Sequence, residues 1–447
     1  DRYVPNAVKA LFQKELGLTD AETALPTTGM LVVYMAFAMV FGWLSDKNII
    51  DRRKILAFAI VFWSLATGLA GLASNLFHLI LFRSLVGVGE AAYSTIVPPM
   101  ISDFYPQEDR SMAYSIFNLA IPVGGAVGFS IGGVLGAKFG WRFAYLACGI
   151  PGLLASVAVL RLNDPVRGVN DTDKHMNPSI VAANGAGKSF NVSFEDFDEE
   201  EMSRGSWGSD IVRILTNKQW IACLAGLTCN SFAVGGIAEW YDSFLLRYEG
   251  SSFGEAGIVV GAITVLGGIC GNVLGLRTAR YFETRVKSAY FLVCACFTIP
   301  AAFFCYLATN ILGQRYVAYV CLLLSEICIF TQLAPMATVS ISVMPVELRA
   351  RAGGLQILIM HLLGDVISPP IIGLLSDRRG SLQEAMQVTW VAMLLCGTCW
   401  FLGYAVLEPL PVSKASPQPK GTRGLYDEDT ESSEDEDSST RAMLAVE

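Results

Sequence analysis

Polar residues are sparse along this chain and arrive in short clusters separated by long apolar stretches. Eleven such stretches fall at about residues 25–45, 54–73, 77–102, 111–137, 142–161, 218–246, 254–276, 288–308, 315–342, 350–376 and 384–407. Each predicts a helix long enough to cross a hydrocarbon core about 30 Å thick. The opening DRYVPNAVKALF reads as the second half of one more helix, with its apolar beginning and a cytoplasmic tail expected upstream. Nothing therefore decides for or against a signal peptide. With that helix the pattern predicts twelve spans.

Composition agrees with the pattern: the chain is 53% hydrophobic and 16% charged, and its mean hydropathy is +0.47. Charge then sets orientation. Loops after the second, fourth, eighth and tenth spans carry Lys47, Arg52, Arg53, Lys54, Arg110, Arg277, Arg280, Arg285, Lys287, Arg349 and Arg351. The opposite loops carry fewer basic residues, Lys14, Lys138, Arg142, Arg247, Arg315, Arg378 and Arg379. The positive-inside rule places the richer side, and with it both termini, in the cytoplasm.

Two acidic segments frame the domain plan. Residues 162–217 hold FEDFDEEE and read as a mostly disordered cytoplasmic loop. The stretch 411–447 holds YDEDTESSEDEDSST and reads as a disordered acidic tail, either a phosphate acceptor or a solvating segment. The first follows an N-terminal six-helix bundle, 1–161, and the second follows a C-terminal one, 218–410. These segments account for the net charge of -8, so the acidity does not describe the path through the membrane. Gly187-Lys188-Ser189 lacks the first glycine of a phosphate-binding loop, because Ala182 occupies that position. Asn170 and Asn191 begin glycosylation sequons, and a glycan on either would overturn the cytoplasmic placement.

Against this background Arg83 and Glu90 stand out, two charges inside LILFRSLVGVGEAAYSTIVPPM. Seven residues apart, they share one helix face with about 10 Å of rise between them. Each costs about 2.5 to 3.5 kcal/mol at a membrane centre by insertion scales, so the face looks into a polar interior. A carboxylate that alternates between an arginine and an apolar cavity can load and release a proton. A static bridge pinning two helices explains the same residues, and both readings stand. Gly87, Gly89 and the glycines of the fifth span fit either helix motion or plain close packing.

His361 and Asp365 are four apart on the eleventh span, followed by Ser368, Pro369 and Pro370, which predict a kink and freed carbonyls. The pair reads either as a sensor of an acidic compartment or as a satisfied hydrogen bond between helices. The eleven cysteines, Cys396 and Cys399 among them, fall within predicted helices and argue against a disulfide framework. With three scattered histidines and no nucleophile and base outside the helices, neither an enzyme nor a metal site is expected.

The two halves carry weak repeats. GWLSDKNIIDRRK at 42–54 corresponds to GLRTARYFETRVK at 275–287, and Arg110, Gly132 and Gly136 correspond to Arg351, Gly373 and Asp377 at a constant offset of 241. Twelve spans in two sixes, with GxLxD and a basic cluster after the second span, resemble the major facilitator superfamily. That resemblance implies an all-α integral membrane fold of two six-helix bundles. It makes Gly42, Asp46, Arg52, Arg53 and Lys54 a cytoplasmic gate, in which Asp46 caps a helix end and the basic residues meet acidic partners when that side is closed. Ala279 replaces the aspartate in the second copy, which weakens that half of the gate.

Within the superfamily the chain resembles the spinster family of lipid transporters. The likeness rests on DRY at 1–3, RSLVGVGEAAYSTIVPPMISDFYP at 83–106, GWRFAY at 140–145 and QILIMHLLGDVISPPIIGLLSD at 356–377. It implies proton-linked or facilitated movement of lysophospholipids or sphingolipids in a lysosomal, endosomal or plasma membrane. Asp1, Arg83 and Glu90 then match the family's proton and headgroup site, and Glu326 matches a family glutamate in the tenth span. Glu239 and Asp242 depart from the family, in a stretch of the seventh span that is largely apolar in relatives. As cavity acids they would favour a cationic headgroup; otherwise they face the outside water. The segment TQLAPMATVSIS at 331–342 also departs, lacking the asparagine and aspartate often seen there.

The expectation is alternating access without a cofactor or metal, driven by a proton or other ion gradient. The partners are an amphiphilic substrate and the membrane, not nucleic acid, and the unit is a monomer. The alternatives are a proton-coupled carrier of a small organic anion and a lipid sensor or scaffold that transports nothing.

Overall fold

The structure, a computed structural model, describes residues 2–46, 50–162, 164, 207–283, 285–286, 288–333, 335–336, 339, 343–344 and 348–405. Asp1, most of the central acidic segment, the acidic tail and the side chains of Asp46 and Arg110 lie outside the described residues. The described secondary structure is helical throughout.

Six helices form the N-terminal bundle: α1 (Val4–Leu16), α2 (Asp20–Asp46), α3 (Arg52–Ala70), α4 (Leu76–Phe104), α5 (Gln107–Phe139) and α6 (Trp141–Leu160). Their ends follow local chemistry. Asp51 and Asn75 cap α3 and α4 by accepting from the backbone N–H of Arg53 and His78. Gly17 and Gly140, at φ +64° and +84°, supply the left-handed backbone that lets α1 and α5 turn back.

After α7 (Trp207–Thr216) come α8 (Lys218–Tyr248), α9 (Phe253–Glu283), α10 (Ala289–Asn310), α11 (Arg315–Thr331), α12 (Arg349–Leu363), α13 (Ser368–Arg379) and α14 (Leu382–Ala405). Among the described residues, ten helical stretches are long and apolar enough to cross a membrane, with α12 and α13 counting together as one. α1, of 13 residues, and α11, of 17, are shorter but pack within the bundles. The twelve-span expectation thus holds at the level of elements.

Two details differ from the sequence expectation. The segment 162–217 contains α7, whose Ile214 is buried and whose Asp210 pairs with Arg351 at the start of α12. The eleventh span is interrupted at 364–367, ahead of the prolines, and Pro369 sits in the first turn of α13. Proline's missing N–H is harmless in a first turn, so here it begins a helix instead of kinking one.

The bundles meet through α5 against α9, α2 against α13 and α1 against α8. A Cβ on Gly133 of α5 would lie 2.8 Å from the Phe253 carbonyl oxygen, so the close approach of α5 and α9 requires glycine there. The buried core follows this contact across the interface, joining Ala7, Ala24 and Phe129 to Trp240, Phe244 and Ile372. Among the described residues, the end of the molecule that holds the α1–α2, α8–α9 and α13–α14 turns, the latched end, carries the densest polar links between bundles.

Candidate functional site

α2 begins at the latched end, and its first N–H groups need acceptors. Thr19 Oγ1 accepts from Glu22 N–H at 3.2 Å while Glu22 Oε2 accepts from Thr19 N–H at 2.9 Å, a capping box. The N–H groups of Asp20 and Ala21 donate instead to the two carboxylate oxygens of Asp377, at 2.9 Å each. Asp377 belongs to α13, so the other bundle completes this helix start. The Asp20 side chain accepts from Arg247 at 2.6 and 2.7 Å, Ser376 at 2.6 Å and Gln13 at 2.6 Å.

One to two turns deeper, Lys9 of α1 is fully buried and crosses to α8. Its ammonium donates to the Glu239 carboxylate and, at 2.9 Å, to the Glu239 carbonyl, with the Trp240 ring centroid 4.0 Å away. Glu239 and Asp242 are 2% and 1% exposed, so neither faces outside water, correcting that reading. Among the described residues neither Asp242 oxygen has a hydrogen-bond partner.

Below this layer lies a cavity of about 110 Å³ between the bundles, bordered by Arg2, Tyr3, Thr27, Ser231, Glu239 and Asp365. Its lining carboxylates, Glu239 and Asp365, both belong to the C-terminal bundle, and its lining cation, Arg2, to the N-terminal one. Arg2 lies 3.9 Å from Asp365, which also meets His361 Nδ1 at 2.9 and 3.0 Å. The broken eleventh span supplies the expected free carbonyls, and both named here are satisfied. Val366 accepts from Thr28 of the other bundle at 3.2 Å, and Pro369 accepts from Trp240 Nε1 at 3.0 Å.

Arg83 and Glu90 share a face of α4 but have different surroundings. Arg83 is fully buried and donates to Met30 Sδ at 3.0 Å. Glu90 is half-buried and forms no ion pair with a described residue, so the static bridge between the two is not closed here. Gly87 and Gly89 lie where α4 packs closely on α2 and α3, a packing role. Glu326, on α11, has Gly267 of α9 packed against its Cβ and one oxygen without a partner.

Among the described residues, Arg52 and Arg53 bond to the N-terminal bundle and to the chain just beyond it. Arg52 donates to Asp103 at 2.6 Å and to Asp164 at 2.8 and 3.1 Å. Arg53 pairs with Asp51 and donates to the Leu162 carbonyl at 2.6 Å. The cap of α3 is Asp51, whereas the capping task expected of Asp46 falls on a side chain outside the described residues. Lys54 is exposed, and Gly42 has open space where a Cβ would stand.

Sequence reasoning named Asp365, which borders the cavity, and His361, which bonds to it, but missed Arg2, Tyr3 and Lys9; Glu90 and Glu326 are not among the cavity's lining residues. Lys9 had a signal: it is a cation amid residues with helical apolar spacing. Its partner lies more than two hundred residues away, beyond the reach of any local pattern.

Comparison with known proteins agrees with this architecture. The family model described as Major Facilitator Superfamily matches residues 1–369. Protein spinster homolog 1 of Xenopus laevis is 30% identical over 425 residues, covering 90% of this chain and 76% of that protein. Sphingosine-1-phosphate transporter SPNS2 of Danio rerio is 30% identical over 424 residues, covering 91% and 77%. A crystal structure of a bacterial homologue of the human lysosomal transporter spinster, inward-facing and unoccupied, superposes with a TM-score of 0.74 at 20% identity, covering 90% of this chain and 93% of that one. A D-xylose-proton symporter follows at 0.66 and 14%, covering 92% and 94%, a likeness of fold alone. The chain is thus a multi-pass membrane transporter, not an enzyme, and belongs to the Major Facilitator Superfamily and, within it, to the spinster family.

Proposed function

We propose that this chain moves a single-chain amphiphilic lipid, a lysophospholipid or a sphingolipid, across a membrane by alternating access. The observation that supports this most is the inter-bundle cavity itself, bordered by Arg2 and Tyr3 from one bundle and by Glu239 and Asp365 from the other, with Arg2 3.9 Å from Asp365. Drug-sized ligands need roughly 300 to 1,000 Å³. A cavity of about 110 Å³ suits a polar head only, which leaves an acyl chain to lie along apolar helix faces.

Proton linkage belongs to the same reading. His361, Asp365 and Glu90 offer titratable groups on both bundles, so an ion gradient, without cofactor or metal, drives the cycle. The protein works as a monomer in a lysosomal, endosomal or plasma membrane, with both termini and the 162–217 and 411–447 segments cytoplasmic. The spinster homologues and the sphingosine-1-phosphate transporter support the substrate class by relationship.

Uptake into proteoliposomes of labelled lysophospholipids, sphingoid phosphates and polar anions, with and without a pH gradient, tests this reading. Arg83→Ser and Glu90→Gln are expected to lose uptake of the lipid arm. Full uptake in either variant overturns their assignment to the site. The small cavity also favours a second reading, a carrier of a small organic anion, under which lysolipids neither compete nor move. A scaffold that moves nothing would lose its output on deletion of 411–447, whereas a carrier keeps its flux.

A further inference from the structure

Ser231, Gly235 and Ala238 border the cavity from α8. Asp242 follows Ala238 by four residues and Gly235 by seven, so it stands on the same face, one turn nearer the latched end. It is 1% exposed with both oxygens unpartnered. Among the described residues, the charge that acts on it is that of Lys9. Yet the Lys9 ammonium is already held by the Glu239 carboxylate and carbonyl.

The neighbouring charges are otherwise matched, apart from Glu249 two turns further along at the end of α8, whose oxygens also lack a described partner. Asp20 of α2 pairs with Arg247 of α8, Asp377 of α13 accepts from the start of α2, and Asp365 meets His361 and Arg2. Two buried carboxylates, Glu239 and Asp242, therefore share one ammonium. Holding a lone ionised carboxylate out of water costs several kcal/mol or more. The layer can close only by taking in one further positive charge.

We propose that Asp242 captures one positive charge, a proton or a monovalent metal cation, from the compartment at the latched end each time the bundles close there. When the bundles part, Lys9 leaves with α1 and both acids of α8 meet water, where they need no fixed partner. On closing, Lys9 returns one charge and the captured cation supplies the other. A proton adds to a carboxylate oxygen to give the acid, or a metal ion pairs with the carboxylate, and no covalent bond breaks in either case. The site is separate from Arg2 and Asp365 at the cavity and rests on the alternating-access reading.

Full-length protein in nanodiscs, spin-labelled at Leu72 and Leu312, reports the separation of the bundles at the latched end by pulsed electron resonance. No transport substrate is added. The closed state holds one positive charge more than the open state, so the closed fraction rises as pH falls from about 8 to about 5, or as sodium replaces an organic cation at fixed pH. The expected slope is about one charge per closing. Asp242→Asn closes without that charge and loses the dependence, whereas Lys9→Gln leaves two acids and raises the slope to about two. The arm that responds, proton or sodium, identifies the cation. An unchanged dependence in Asp242→Asn, or in Asp242→Ser should the first not fold, overturns the proposal alone. A label distance fixed under every condition overturns both it and alternating access.

Discussion

At one end of the molecule Arg52 and Arg53 bind Asp103 and Asp51 of their own bundle and Asp164 just beyond its last helix. At the other, Arg247 and Lys9 bind Asp20 and Glu239, acids of the bundle to which they do not belong. The residue types are the same but the thermodynamic consequences differ. An ion pair inside a bundle survives when the bundles rock, so it adds to fold stability and leaves the conformational equilibrium alone. An ion pair between bundles must break, so it biases which conformation is populated.

The most disruptive test is Lys9→Met. Removing one partner of a fully buried pair leaves an uncompensated charge and should disfavour closure by about 3 kcal/mol, roughly a hundredfold. Adding Glu239→Gln to it should restore most of that loss, and a double-mutant cycle on the closed fraction measures the recovery. Gly133→Val comes next. Its side chain would collide with the Phe253 carbonyl and push α5 from α9, at about 2 kcal/mol, read from the same label distance.

Asp20→Asn should have a milder effect, about 1.5 kcal/mol or tenfold, because Arg247 is partly exposed and water softens the loss. Arg52→Ala closes the series. It should lower thermal stability, by about 2 kcal/mol, while leaving the label distance unchanged. A shift of the bundles in this last variant would break the distinction between the two ends.

The spans were legible because lipid demands long uninterrupted apolar runs, a requirement written in consecutive residues. Glu90, Glu326, His361 and Asp365 were legible for the converse reason, each being polar where polarity is costly. Pairing was not. Arg83 and Glu90 sit on one face and looked like partners, yet Arg83 donates to Met30 and no described ion pair joins it to Glu90. Pro369 and Pro370 marked the broken span, but the break itself spans Gly364 to Ile367 because proline suits the first turn of the helix that follows. The helix α7 escaped notice because it is ten residues long and follows an acidic stretch.

The start of α2 ties local order to the position of a distant body. Thr19 serves the third amide of the helix, but the amides of Asp20 and Ala21 rely on Asp377 across the interface. When the bundles separate, those two protons face solvent and the first turn frays. Amide exchange at these two residues thus clocks the large-scale motion from a single turn of backbone, without a label and without knowledge of the cargo.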